Sequence, residues 1–156
     1  MILYYYYIEY QPYNVLIGES ISLPCNITPS ITVDDDVSLI LWYRDDQSTP
    51  IYTVDARGLG NTLKTAKHFH DNNIFDDGDG NDDDRITFNI TYPISYLRFK
   101  QTRAHDTAEY RCRVDFRRDR TINRVMKLNV IGMCLSVFEI QNRYNYNHCK
   151  SYSSSE

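Results

Sequence analysis

The chain lacks any long apolar run. No stretch approaches the roughly 18 consecutive apolar residues a membrane-spanning helix requires, so this segment is expected to make no membrane contact of its own. It lacks an excess of positive charge. The formal net charge is −4, which removes the electrostatic footprint by which proteins gather nucleic acid. Residues 1–10 lack a basic stretch, an adequate apolar run and a small-residue cleavage site, so no export signal is visible there. The sequence also lacks a catalytic constellation. It has no nucleophile elbow, phosphate loop or zinc-protease helix motif, and its Ser, His and Asp residues are scattered over segments with no reason to converge. No enzymatic chemistry, no cofactor and no nucleic-acid partner are therefore expected.

What is present is enough apolar material, 42% of residues, for one core. At 156 residues the chain is one domain plus an addition. Tyrosine is abundant, with 14 in all and a run at 4–7. It is large, stiff and amphipathic, and suits β surfaces and recognition faces. The four cysteines, Cys25, Cys112, Cys134 and Cys149, allow three pairings.

Cys25, Trp42 and Cys112, with Asp106, Ala108 and Tyr110 ahead of the last cysteine, follow the order C…W…D-x-A-x-Y-x-C. That order is the pin of an immunoglobulin-like β-sandwich. It predicts an all-β chain in which Cys25–Cys112 joins the sheets and Trp42 packs against the bridge. Tyr110, two residues before Cys112, sits where a tyrosine corner returns its hydroxyl to the backbone just upstream. In variable-type domains an Arg opening strand D pairs with the Asp before strand F, which assigns that role to Arg85 and Asp106. Bridging a loop this long stabilises by about 4–5 kcal/mol on the chain-entropy model. The bond needs an oxidising, extracellular compartment. Two sequons, Asn26-Ile27-Thr28 and Asn89-Ile90-Thr91, agree with that setting and make Asn26 and Asn89 candidate glycosylation sites. A chain that needs oxidation but shows neither address nor anchor is expected to be a fragment.

Period-2 alternation places strands at 14–17, 20–26, 38–44, 50–54, 85–89, 96–99, 108–116 and 123–131. A separate C′ strand and the long interval between the cysteines favour the variable (V-set) type. The expected organisation is an irregular segment 1–13, a V-type domain 14–131 and a disordered or mis-spliced tail 132–156. Residues 71–84 are almost wholly polar and acidic and are expected to be a solvated loop. They do not follow the order of a calcium loop, since no Gly stands at its sixth position and no Glu closes it. If extended as a strand, His68-Phe69-His70 places two imidazoles on one face, but nothing supplies further fixed ligands, so no metal is expected.

The face formed by strands C, F and G is the expected partner-binding surface. Alternation points Leu39, Leu41 and Tyr43 outward on strand C, and Glu109, Arg111, Arg113 and Asp115 outward on strand F. An exposed row of Leu39, Leu41 and Tyr43 is an interface signal. The bland alternative is that strand C″, the tail or a second domain covers the row.

Two blocks are more specific than a generic pattern. One is Ile40-Leu41-Trp42-Tyr43-Arg44-Asp45-Asp46 with Pro50-Ile51-Tyr52-Thr53-Val54-Asp55-Ala56-Arg57-Gly58 after it. The other is Tyr110-Arg111-Cys112-Arg113-Val114-Asp115-Phe116-Arg117 with Arg120-Thr121. Together they resemble the first immunoglobulin domain of the Sidestep family of neural cell-surface adhesion proteins, over roughly 15–131. The resemblance implies a multi-domain, single-pass membrane protein at the cell surface, a role in axon guidance or synaptic recognition, and an immunoglobulin-superfamily receptor of the Beaten path type as partner. Departures from the family are the expanded acidic 71–84 segment, Thr102 at a position normally apolar, and no second immunoglobulin domain after Ile131. A soluble immune-type binding protein and a non-functional gene fragment stand as alternatives.

Overall fold

A computed structural model describes residues 11–31, 34–58, 60, 62–71 and 85–132. Nearly all of the acidic segment and all of the tail beyond Gly132 lie outside the described residues, and so do Cys134 and Cys149.

Among the described residues, nine strands form two sheets. The six-stranded sheet has the order β1 (Gln11–Leu16), β9 (Ile122–Ile131), β8 (Ala108–Phe116), β3 (Val37–Arg44), β4 (Tyr52–Asp55) and β5 (Lys67–His70). The three-stranded sheet has the order β2 (Ile21–Asn26), β7 (Ile94–Phe99), β6 (Ile86–Asn89). The chain has the V-type immunoglobulin fold, with the C′ and C″ strands in place as β4 and β5.

Alternation in the sequence becomes alternation in burial. Along β8, Ala108, Tyr110, Cys112, Val114 and Phe116 all point into the core. On β2 the buried residues are Leu23 and Cys25, and on β7 they are Ser95, Leu97 and Phe99. Strand β3 breaks the rule twice, between Val37 and Ile40 and at Tyr43, which is buried beside Trp42. Val37 and Ile40 are both buried, because a register shift between Val37 and Leu39 resets the pleat. From Ile40 onward, Trp42 is inward and lies directly opposite Cys112 in the register. Cys112 is bonded to Cys25 across the sandwich, with the Cα atoms 6.1 Å apart, inside the span a disulfide can bridge. Trp42 is fully buried and meets Phe88 edge-on at 6.0 Å between ring centroids. Burying each such side chain contributes about 1.5–3 kcal/mol.

Beneath this core sits a polar anchor. Asp106 is fully buried and accepts from Arg85 Nη1 at 2.7 Å and Nη2 at 3.1 Å. It also accepts from the backbone N–H of Arg103 at 2.7 Å. The Tyr110 hydroxyl donates to the Asp106 carbonyl at 2.9 Å, and burial pushes its phenol well above the usual range. Thr102 also finds its reason here. Its hydroxyl stands 2.9 Å from the carbonyls of both Leu16 and Glu19, and its N–H donates to Glu19 at 2.9 Å. Gly18, with φ of 86°, shapes the β1–β2 turn that receives these bonds. An apolar side chain at 102 would pack but would not fasten the two turns together.

Four strands differ from the periodicity reading by more than a residue, among them β7, which begins at Ile94 and not at residue 96. β1 begins at Gln11, because the backbone from Gln11 onward pairs in parallel with β9 from Met126. β4 starts two residues later than expected, since Pro50 carries no N–H for the ladder. β5 was expected only conditionally, because all four of its residues are exposed and no apolar alternation marks it.

Candidate recognition surface

Cross-strand register fixes which side chains share the outer face of the six-stranded sheet. One row crosses five of its six strands: Asn123 on β9 faces Arg113 on β8, which faces Leu41 on β3, then Thr53 on β4 and Phe69 on β5. The next row holds Asp115, Leu39, Asp55 and Lys67, and on the other side lie Val125, Arg111 and Tyr43. The outer face is therefore a half-buried aliphatic centre at Leu39 and Leu41 with an exposed aromatic, Phe69, at the β5 edge.

The expected exposed row of Leu39, Leu41 and Tyr43 is corrected by this arrangement. Leu39 and Leu41 are half-buried, and Tyr43 is only 8% exposed. The cause is a cross-strand neighbour. The Arg111 guanidinium lies over the Tyr43 ring, 4.3 Å from its centroid, so the pair presents a cation in place of a phenol face. The large exposed aromatic is instead Phe69, 54% exposed, whose tetrapeptide strand gave the sequence reading no signal beyond His68 and His70. Those two imidazoles point the other way and flank Tyr52, His68 by a 3.0 Å contact between Nδ1 and the Tyr52 hydroxyl and His70 by stacking.

Two pairs of charges on this face are neutralised by partners two residues away in the sequence. Arg113 grips Asp115 with Nε at 2.9 Å from Oδ1 and Nη2 at 3.0 Å from Oδ2, and Thr121 adds a 2.7 Å bond. Partial burial raises the Asp115 carboxyl, but the bonds from Arg113 and Thr121 outweigh it and hold the group below the usual range. Arg57 makes the same two-pronged contact with Asp55, at 3.0 and 2.7 Å, and its hydrogen bonds pull Asp55 down to about 2. Two forks, each already charge-neutral, thus frame the aliphatic centre. The remaining sequence candidates lie elsewhere. Cys25, Trp42 and Tyr110 are in the core, Arg85–Asp106 lies beneath it, and Asn26 and Asn89 are on the three-stranded sheet.

At one end of the sandwich a single carboxylate joins two loops. Asp35 accepts N–H bonds from Asp36 at 2.9 Å, Arg118 at 2.9 Å and Asp119 at 2.7 Å, and its side chain is almost fully enclosed. Desolvation raises its pKa, but these backbone donors and the Arg118 guanidinium together set it below 3.8. A cluster of three aspartates reads as a solvated loop, so no sequence signal marked Asp35. Its depressed folded-state pKa means the clamp is complete above about pH 4 and is lost as pH falls through the folded value. Hydrogen exchange should show the Arg118 and Asp119 amides protected at pH 6 and released in Asp35→Ala. Equal protection in wild type and variant would show that the loop holds without the carboxylate.

No protein-family model and no curated protein matches the sequence. Solved structures do resemble the fold. The extracellular domain of the voltage-gated sodium channel β4 subunit, solved as a parallel homodimer and tied to cell–cell adhesion, is 19% identical with a TM-score of 0.54. The match covers 79% of this chain and 92% of that one. The first Ig-like domain of human CD48 antigen is 17% identical with a TM-score of 0.53, covering 85% and 92%. A chain of the ZIG-8–RIG-5 IG1–IG1 heterodimer is 17% identical with a TM-score of 0.50, covering 80% and 84%. At these identities the likeness establishes the immunoglobulin-like fold.

Proposed function

We propose that this chain is an extracellular recognition domain that binds another immunoglobulin-superfamily protein through the outer face of its six-stranded sheet. The observation that carries this reading is the aliphatic centre Leu39–Leu41 with Phe69 exposed at its edge, framed by the neutral forks Arg113–Asp115 and Arg57–Asp55. An apolar centre with a polar rim is the anatomy of protein interfaces, and pre-paired charges set register at small desolvation cost. The Arg111–Tyr43 stack adds an arginine and an aromatic, residue types that dominate binding hot spots. Adhesion and dimerisation among proteins of the same fold support the partner class.

More finely, the two blocks around Trp42 and Cys112 favour a Sidestep-type guidance protein at the cell surface whose receptor is of the Beaten path type. On this reading residues 14–131 form the recognition domain, and 1–13 and 132–156 flank it. The four partner-binding residues Leu39, Leu41, Arg111 and Arg113 act directly. Tyr43 acts as the platform beneath Arg111, and Asp115 holds Arg113 in place.

Phe69→Ala and Arg113→Glu should each weaken capture of a Beaten path-type receptor about tenfold, equivalent to about 1.4 kcal/mol. Thr87→Arg, on the opposite sheet, should leave capture at the wild-type level. Surface plasmon resonance on variants with wild-type melting behaviour checks this. Capture abolished by Thr87→Arg and untouched by the other two would place the interface on the wrong sheet.

A further inference from the structure

The two sequons are far apart in the sequence, yet the fold brings them together. Asn26 ends β2 and lies opposite Ile94 of β7. Asn89 ends β6 and lies opposite Tyr96 of the same strand. The two asparagines therefore straddle β7 two residues out of step. With strands about 4.8 Å apart and about 3.4 Å per residue, they are separated by about 12 Å. Both are exposed. Because Ser95 and Leu97 point into the core, Ile94 and Tyr96 point out, and their cross-strand partners Asn26 and Asn89 do the same. The outer face of the three-stranded sheet thus presents both glycosylation signals, with Ile94 36% exposed between them and Tyr92 70% exposed in the adjoining turn.

The outer face of the six-stranded sheet shows the opposite pattern. It carries asparagines too, Asn123 and Asn129 on β9, but these continue as Asn123-Arg124-Val125 and Asn129-Val130-Ile131, with no hydroxyl residue at the second following position. Within 11–132 the Asn-x-Thr pattern occurs only at Asn26 and Asn89, and Asn-x-Ser does not occur. Local geometry suits the modification. Asn26 is exposed and its Oδ1 accepts the Thr28 N–H at 2.9 Å, which bends the sequon and leaves Nδ2 outside that hydrogen bond.

We propose that Asn26 and Asn89 both carry N-linked glycans, and that these close the three-stranded sheet's outer face to macromolecules and leave the six-stranded face as the docking side. In each transfer the side-chain Nδ2 attacks C1 of the first sugar of a polyprenyl-pyrophosphate-linked oligosaccharide. A C1–N bond forms, the C1–O bond to pyrophosphate breaks, one N–H proton is lost and the polyprenyl pyrophosphate leaves. No oxidant or reductant is consumed. A bulky, hydrated glycan at each site covers Ile94, Tyr92 and Tyr96, and the sugar ring of the Asn26 glycan has an apolar side chain directly opposite on which to rest. The docking part of this inference rests on the recognition reading above, whereas site occupancy and shielding do not.

The test expresses the full chain behind a cleavable secretory leader in insect cells, beside the single variants Asn26→Gln and Asn89→Gln and the double variant carrying both. Intact-mass and glycopeptide analysis should find two glycans on the wild type, one after either single substitution and none on the double variant. Hydroxyl-radical footprinting should then show Tyr92, Ile94 and Tyr96 oxidised severalfold faster in the double variant, with Phe69 unchanged. An unoccupied site at Asn26 or Asn89, or equal oxidation of the three side chains in both forms, overturns the proposal. Both readouts work without a receptor, so they stand or fall separately from the capture experiment.

Discussion

Replacing Cys25 and Cys112 together by alanine should lower the free energy of unfolding by about 2–5 kcal/mol, a large share of the stability of a domain this size. The bridge joins residues 87 apart in sequence, so its loss returns a long loop's worth of conformational freedom to the unfolded chain. The two thiol sites are also fully buried among Trp42, Leu23 and Leu97, so truncation leaves a void in the centre of the core. Trp42 is the sole tryptophan, and its fluorescence reports the transition directly. Urea titration of oxidised wild type and of the double variant, followed at Trp42, gives the difference. A midpoint unchanged within error would mean the sheets are held by packing alone.

The second large effect belongs to Asp106. Asp106→Ala should destabilise by about 3–5 kcal/mol, because it strands the Arg85 guanidinium in the core without its carboxylate. The same change removes the acceptor of the Arg103 N–H. Arg85→Lys should recover little of what Arg85→Ala loses, since an ammonium does not reproduce a two-pronged contact. The informative variant is the double one, Arg85→Met with Asp106→Leu. Removing both charges removes the need for either, so the pair should sit much closer to wild type than the sum of the single losses. Thermal melts of wild type, Arg85→Met, Asp106→Leu and the double variant complete a double-mutant cycle. Additive losses would show that the two side chains do not depend on each other.

Much of the sandwich was legible because its core obeys a period of two. On β8 every second residue is apolar without exception, and the C…W…D-x-A-x-Y-x-C order adds the cross-sheet connection that period alone cannot supply. Arg85 and Asp106 were legible for a related reason, since a conserved geometry of the fold type demands charges at those two points. Exposure on the outer face was not legible. Alternation says that Tyr43 points outward, but only the register says that Arg111 lies beside it, and covering one side chain with another is a tertiary event. Phe69 was overlooked because a four-residue edge strand with no buried side chain carries no pattern to detect. Asp35 was hidden by its own neighbours. Three consecutive aspartates look alike in sequence, and which one turns inward depends on backbone donors more than eighty residues downstream.

The parallel pairing of β1 with β9 has a mechanical consequence. Gln11 lies beside Met126 and Leu16 beside Ile131, so the polypeptide runs into and out of the sheet in the same direction. Tension drawing Gln11 and Ile131 apart pulls along both strands at once. The backbone hydrogen bonds between them are then loaded together in shear, and no single bond at an end bears the force first. Should that contact slip, the break is contained. Residues between Cys25 and Cys112 stay sealed behind a covalent staple, and only the flanking lengths can pay out, at about 3.5 Å per residue. A pulled domain of this build can lengthen only by the residues outside the bridge, because those between Cys25 and Cys112 cannot extend.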